Sequence, residues 1–247
     1  AAVTGLIMTY CLCFKSRSLA LTLDQLTLKA FMPTWNVVRR ALRISLPITG
    51  QQVMISSAQI VSTMIVAPLG NMSIAAHSFA ITIEALCYMP GFGIGDAATT
   101  LVGQSIGARR FDLTRRFAII TLCLGAGIMA FMGFLMYVFS PWVMSLMSPS
   151  VEVQALAVQA LRIEAFAEPL FAVAIVGYGI CVGAGDTLIP SLINLGSMWL
   201  IRLGLAYMLA QHYGLAGVWT AMCIELCLRG LFFLARLKWG NWVKTLD

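Results

Sequence analysis

The sequence predicts an all-α, polytopic membrane protein, and three observations carry that reading. Sixty per cent of the 247 residues are hydrophobic and 11% are charged, against roughly half and roughly a quarter in soluble domains; the mean hydropathy is +0.89. The apolar residues fall in runs of helical length, and in hydrocarbon only helices or closed barrels satisfy every backbone group. The basic residues collect in short connections at alternate ends of these runs. A soluble core could not hide so much apolar surface, so counting spans tells more than dividing the length into domains.

Residues 1–14 are apolar but shorter than the roughly 20 residues needed to cross a bilayer. Lys15 and Arg17 follow the run, the reverse of a signal peptide, and we read 1–14 as the end of a longer transmembrane helix. Residues 15–43 form a cytoplasmic linker. Over 18–43 it is mildly amphipathic, with Trp35 near Arg39 and Arg40, and it either lies along the interface or is a plain solvated connector.

Six complete spans follow within 44–235. Residues 44–67 carry no ionisable group. Residues 73–104 hold His77, Glu84 and Asp96, and Pro90, Gly91, Gly93 and Gly95 predict a broken span, with Pro90 and the glycines as its bend. Residues 117–139 are uncharged over about 34 Å of helix, just more than the roughly 30 Å hydrocarbon core. Residues 155–183 are interrupted at Pro169, where the missing amide hydrogen opens the helix ladder. Residues 188–210 contain Arg202, and 215–235 contain Glu225 and Arg229. Residues 236–247 form a tail.

Charge sets the orientation. Thirteen of the sixteen Lys and Arg residues lie in 15–43, in 105–116 and after the last span, all at one side; Arg162, Arg202 and Arg229 lie within helices. The positive-inside rule makes that side, and the C-terminus, cytoplasmic in a cell membrane. The net charge of +6 therefore points to membrane lipids as partners and not to nucleic acid, because the basic residues sit at helix ends where anionic headgroups attract them. The seven cysteines lack His partners and metal-ligand spacing, and read as small packing residues. No metal site follows.

Function in such a protein is written in its intramembrane polar groups, since a charge near the bilayer centre costs about 3 kcal/mol on insertion scales. Glu84 lies about 18 Å below the outer edge of its helix, close to the midplane. Glu164 and Glu168 are one turn apart, the latter just before Pro169. Glu225 and Arg229 share a helix face, and Arg202 lies at nearly the depth of Glu225, so a bridge from Glu225 to Arg202, Arg229 or both is expected as a structural group. Glu84 and Glu168 have no evident basic partner, and function and structure stay equally open there. His77 reads as an interfacial hydrogen-bonding group. Gln51, Gln52 and Gln59 give the first span an uncharged polar face, with 52 and 59 on nearly one stripe, explained equally by helix-to-helix hydrogen bonding or by a wet cavity. Together, Gln51, Gln52, Gln59, Glu84 and Glu168 are the candidates for a substrate or ion pathway.

Four strings, in register, resemble one family. The segment PGFGIGDAATTLVGQSIGARR (Pro90 to Arg110) resembles the Pro-Gly bend, V-G-Q and basic turn of multidrug and toxic compound extrusion (MATE) transporters. LPITGQQ (Leu46 to Gln52) resembles the opening helix of their C-terminal lobe. GAGDTLIP (Gly183 to Pro190) resembles the turn before the fifth helix, and WLIR (Trp199 to Arg202) with GLAGVW (Gly214 to Trp219) the last two. In that turn, Gly183 and Gly185 can end one helix while Asp186 or Thr187 caps the next.

The resemblance implies twelve helices in two six-helix lobes, of which this chain supplies the second, with the N-terminal lobe of the same protein as its partner. It implies export of small organic, often cationic, substrates by alternating access, with protons or sodium ions as coupling ion and no cofactor. Where the sodium-coupled branch carries carboxylates on the first and fourth helices of this lobe, this sequence has Ile55 and Phe171. Two other readings stand beside it: a lipid-linked oligosaccharide flippase of the same superfold, and a non-transporting scaffold or half-transporter. An enzyme is disfavoured, because no nucleophile-base set or His-rich motif appears.

Overall fold

The structure is a computed structural model that describes residues 35–240 and 242. The expected helix end at 1–14 and the linker up to residue 34 lie outside the described residues, as does most of the tail. The chain divides into two units, Ala1–Leu46 and Pro47–Asp247. In the first, residues 35–46 are the opening turns of a helix, so helix begins inside the stretch read as linker.

The elements in order are α1 (Trp35–Val66), a 3-10 turn (Ala67–Leu69), α2 (Asn71–Gly107), α3 (Phe111–Met147), α4 (Val151–Glu164), α5 (Glu168–Gly183), α6 (Leu188–Gly196), a π-helical turn (Ser197–Arg202) and α7 (Leu203–Trp239). Among the described residues there is no strand.

Among the described residues, six lengths of helix able to cross a bilayer emerge once two features are read physically. A helix running straight from Leu188 to Trp239 would be about 78 Å long, more than twice the hydrocarbon thickness. It does not run straight, because Gly214 takes φ 57° and ψ −136°, a conformation essentially closed to residues with a Cβ. The chain reverses there. A Cβ on Gly217 would strike the carbonyl of Leu209, although residues eight apart in a straight helix stand about 12 Å apart. The second feature is the bend of 59° between α4 and α5, which forms one broken span.

That bend falls where Pro169 placed it. Ala165–Ala167 leave the helix, and Pro169 sits in the first turn of α5, where its missing N–H is no loss. The other expected break is absent: α2 runs unbroken through Pro90, Gly91 and Gly93. Gly91 lies under the Met129 side chain and Gly95 against Ile175, whereas a Cβ on Gly93 would meet open space.

The turn after α5 closes as expected but is capped differently. Gly185 at φ 77° lets the amides of Gly185 and Asp186 donate to the carbonyls of Val182 and Cys181, a Schellman closure. Neither Asp186 nor Thr187 caps α6. The Asp186 carboxylate is buried and accepts from Arg236 Nη2 at 2.6 Å, because Arg236 offers it a full charge where an amide offers a partial one.

Helices α2, α3, α4, α5 and α7 pack against one another. The main apolar core joins Ala76, Ala80, Met136, Met144, Leu161, Trp219 and Leu226. From residue 47 onward, α1 meets the other elements through an apolar group of Ala58, Met198 and Leu203 and through Gln51. Large side chains such as Ile119, Leu124, Phe131 and Phe134 on α3 stand exposed, as a lipid-facing surface requires.

Candidate functional site

The intramembrane charges converge. The π-helical turn ends at Arg202 and carries it into the interior, where it is 8% exposed. Its Nε stands 3.4 Å from Glu225 Oε2. One turn further along α7, Arg229 Nε stands 3.0 Å from Glu225 Oε1, and its Nη2 donates to Oε2 at 3.2 Å. Glu225, fully buried, thus bridges both arginines, the fuller of the expected arrangements. The Arg229 guanidinium also lies over the Phe171 ring, 5.5 Å from its centroid, so this aromatic ring seats a cation.

Three more carboxylates share this interior. Glu84 on α2, Glu164 at the end of α4 and Glu168 at the start of α5 are 6%, 1% and 1% exposed. Glu164 is within electrostatic reach of Glu84, Glu168, Glu225 and Arg202. Both oxygens of Glu164 and of Glu168 lack a hydrogen-bond partner, and Glu84 makes no ion pair among the described residues. The bend before Pro169 brings this about, since it turns Glu164 and Glu168 inward from two helix segments of different direction. Four carboxylates therefore stand with two guanidiniums in one buried region. Two negative charges have no fixed counter-charge, and burying an unpaired charge costs several kcal/mol.

The pathway candidates separate. Glu84 and Glu168 lie in this cluster. Gln51 is buried and accepts from Ser191 Oγ at 2.6 Å and Tyr178 Oη at 3.1 Å, tying α1 to α6 and α5. Gln52 and Gln59 are exposed on α1. Glu164 was visible in the sequence, but its place beside Glu84 depends on a bend angle that spacing does not give. His77 is buried, its ring packs edge-on against Trp219 with the centroids 5.8 Å apart, and its Nδ1 lacks a hydrogen-bond partner. Asp96 is exposed. Among the described residues no group of His, Cys, Asp and Glu has the geometry of a metal site.

Helices long enough to cross a bilayer and a buried charge cluster between them define a multi-pass α-helical membrane protein. The MatE family matches residues 47–208. The chain belongs to the MatE family. Among curated relatives, the uncharacterized transporter YisQ of Bacillus subtilis (strain 168) is 26% identical over 246 residues, covering 99% of this chain and 53% of YisQ. The probable multidrug resistance protein NorM of Brucella suis biovar 1 is 30% identical over 212 residues, covering 84% of this chain and 45% of that protein. The chain spans about half the length of these relatives. The solved structure of MATE in complex with MaL6 superposes with a TM-score of 0.82 at 22% identity, over 96% of this chain and 54% of that one. An inward-facing multidrug resistance MATE family transporter of the MOP superfamily gives 0.75 at 22% identity, over 100% and 57%. At these identities the structures speak for the fold alone.

Proposed function

We propose that this chain is one lobe of a secondary active transporter of the cell membrane, exporting organic, often cationic, drugs or metabolites in exchange for protons or sodium ions. Its partners are the other lobe, membrane lipids and the substrates. The names of the relatives support the transport class. The observation that carries the coupling is the buried cluster of Glu84, Glu164, Glu168 and Glu225 with Arg202 and Arg229. Two excess carboxylates in a dry site hold a proton or a small cation at less cost than they stay bare. The site straddles a broken span, where a change of bend alters which carboxylates face Arg202 and Arg229. Alternating access needs such differential binding between two states.

In cells lacking their own efflux pumps, the full-length protein is expected to lower accumulation of a cationic dye. Glu168→Gln and Glu84→Gln are expected to raise accumulation severalfold at unchanged membrane abundance. If both variants export like the parent, the carboxylates are structural. Replacing sodium by choline at a fixed pH gradient distinguishes the ions: export that survives is proton-driven.

A further inference from the structure

A second polar feature lies outside the carboxylate cluster. A cleft of about 510 Å³ opens between α3, α4 and α7, lined by Tyr137, Gln159, Arg162, Ile163, Phe166 and Cys223 among others. Arg162 stands eleven residues into α4, about 17 Å from its start, and Tyr137 stands ten residues before the end of α3, about 15 Å, so the two are level with each other. The guanidinium lies over the Tyr137 ring, 5.2 Å from its centroid. The Tyr137 ring in turn meets Phe166 edge-on at 5.8 Å.

Arg162 differs from the other two intramembrane arginines. Arg202 and Arg229 are both paired with Glu225, whereas Arg162 is exposed and has no acidic partner among the described residues. Seated on an aromatic face, beside an amide and in a cleft the size of small-molecule sites, it is the complement of an acid carried on an aromatic or aliphatic body.

We propose that this cleft is a binding site for a small amphiphilic organic anion. The acid group sits on Arg162 and Gln159, and the apolar body lies against Tyr137, Ile163 and Phe166. This rests on the efflux reading above and widens its substrate class to carboxylates and zwitterions.

The test uses full-length protein in phosphatidylcholine nanodiscs, with pyrenebutyrate as probe and the uncharged pyrenebutanol as its control. The carboxylate should bind at least about tenfold more tightly than the alcohol, as expected for a hydrogen bond to a charged group. Arg162→Gln should erase that preference without changing affinity for the alcohol, and Arg162→Lys should keep part of it. A measurement on the parent protein guards against a variant that does not fold: a photoreactive aryl carboxylate should crosslink to peptides containing Tyr137 or residues 155–166. Crosslinking elsewhere, or an Arg162→Gln protein that retains the preference, overturns the proposal. So does displacement of the probe by phosphatidylglycerol in the disc, which would make the occupant a lipid phosphate. Dye export without carboxylate preference sinks this site alone, while carboxylate binding without ion-driven export sinks the transport reading alone.

Discussion

Glu225 is the residue on which the interior charge balance turns. It satisfies Arg202 and Arg229 at once from a fully buried position, and removing one partner of a buried ion pair costs about 3–5 kcal/mol because the other charge is stranded. Glu225→Gln strands two. It should therefore lower the melting temperature of detergent-solubilised protein well below the parent, whereas Glu164→Gln, which removes a charge that has no partner, should not. Equal melting of the two variants would show that Glu225 is no more structural than its neighbours. Phe171 belongs to the same set, since its ring faces both Arg229 and Tyr88. Phe171→Ala removes both contacts and leaves a cavity, at a cost of about 3–5 kcal/mol for a buried aromatic; Phe171 is only partly buried, so the loss should fall at the lower end.

At the scale of elements, two glycines decide how helices meet. On α5, Gly179 lies against α2: its carbonyl accepts from Thr99 Oγ1 at 2.9 Å, and a Cβ there would strike the Gly95 carbonyl. Gly179→Ala should push α2 and α5 apart at about 1–3 kcal/mol, visible as a lower melting temperature. No change would mean that the helices can slide. Gly214 is the reversal point of α7, and its backbone angles are strained for any other residue by at least about 1–3 kcal/mol. Gly214→Ala should sharply reduce the folded protein recovered from membranes. Pro90 is the counter-case. It lies inside a continuous helix, so Pro90→Ala should leave melting nearly unchanged, and a large loss would show that α2 needs its proline.

Across the whole molecule, the connections near residues 67–70, 148–150 and 214 fall at one end of the spans, and those near 108–110, 184–187 and 240 at the other. The second set adjoins Arg109, Arg110, Arg115, Arg116, Arg236 and Lys238, so the positive-inside rule predicts a cytoplasmic location for it. In a cysteine-free background, a membrane-impermeant maleimide should label Pro149→Cys on intact cells and should label Arg109→Cys only after permeabilisation. The opposite pattern would invert the topology.

Helix content and the gathering of basic residues at one end of the helices were legible in the amino-acid sequence, because bilayer thickness and backbone hydrogen bonding constrain each segment separately, without reference to its neighbours. The bend at Pro169 was legible for the same local reason. The continuity of α2 through Pro90 was not, since the effect of a proline on a helix depends on the packing around it, and Met129 and Ile175 pack over Gly91 and Gly95. The ion bridge at Glu225 was visible as a choice of partners, and the tertiary structure decided for both, by a π-helical turn that no spacing rule announces. Gln51, Gln52 and Gln59 share one helix, yet only the fold separates the buried Gln51 from the other two. The gathering of Glu84, Glu164 and Glu168 beside two arginines, and the cleft that leaves Arg162 without an acid, belong to the tertiary structure alone. They depend on crossing positions and bend angles between helices, and those are set by how side chains fit together and not by the hydrophobicity of any one span.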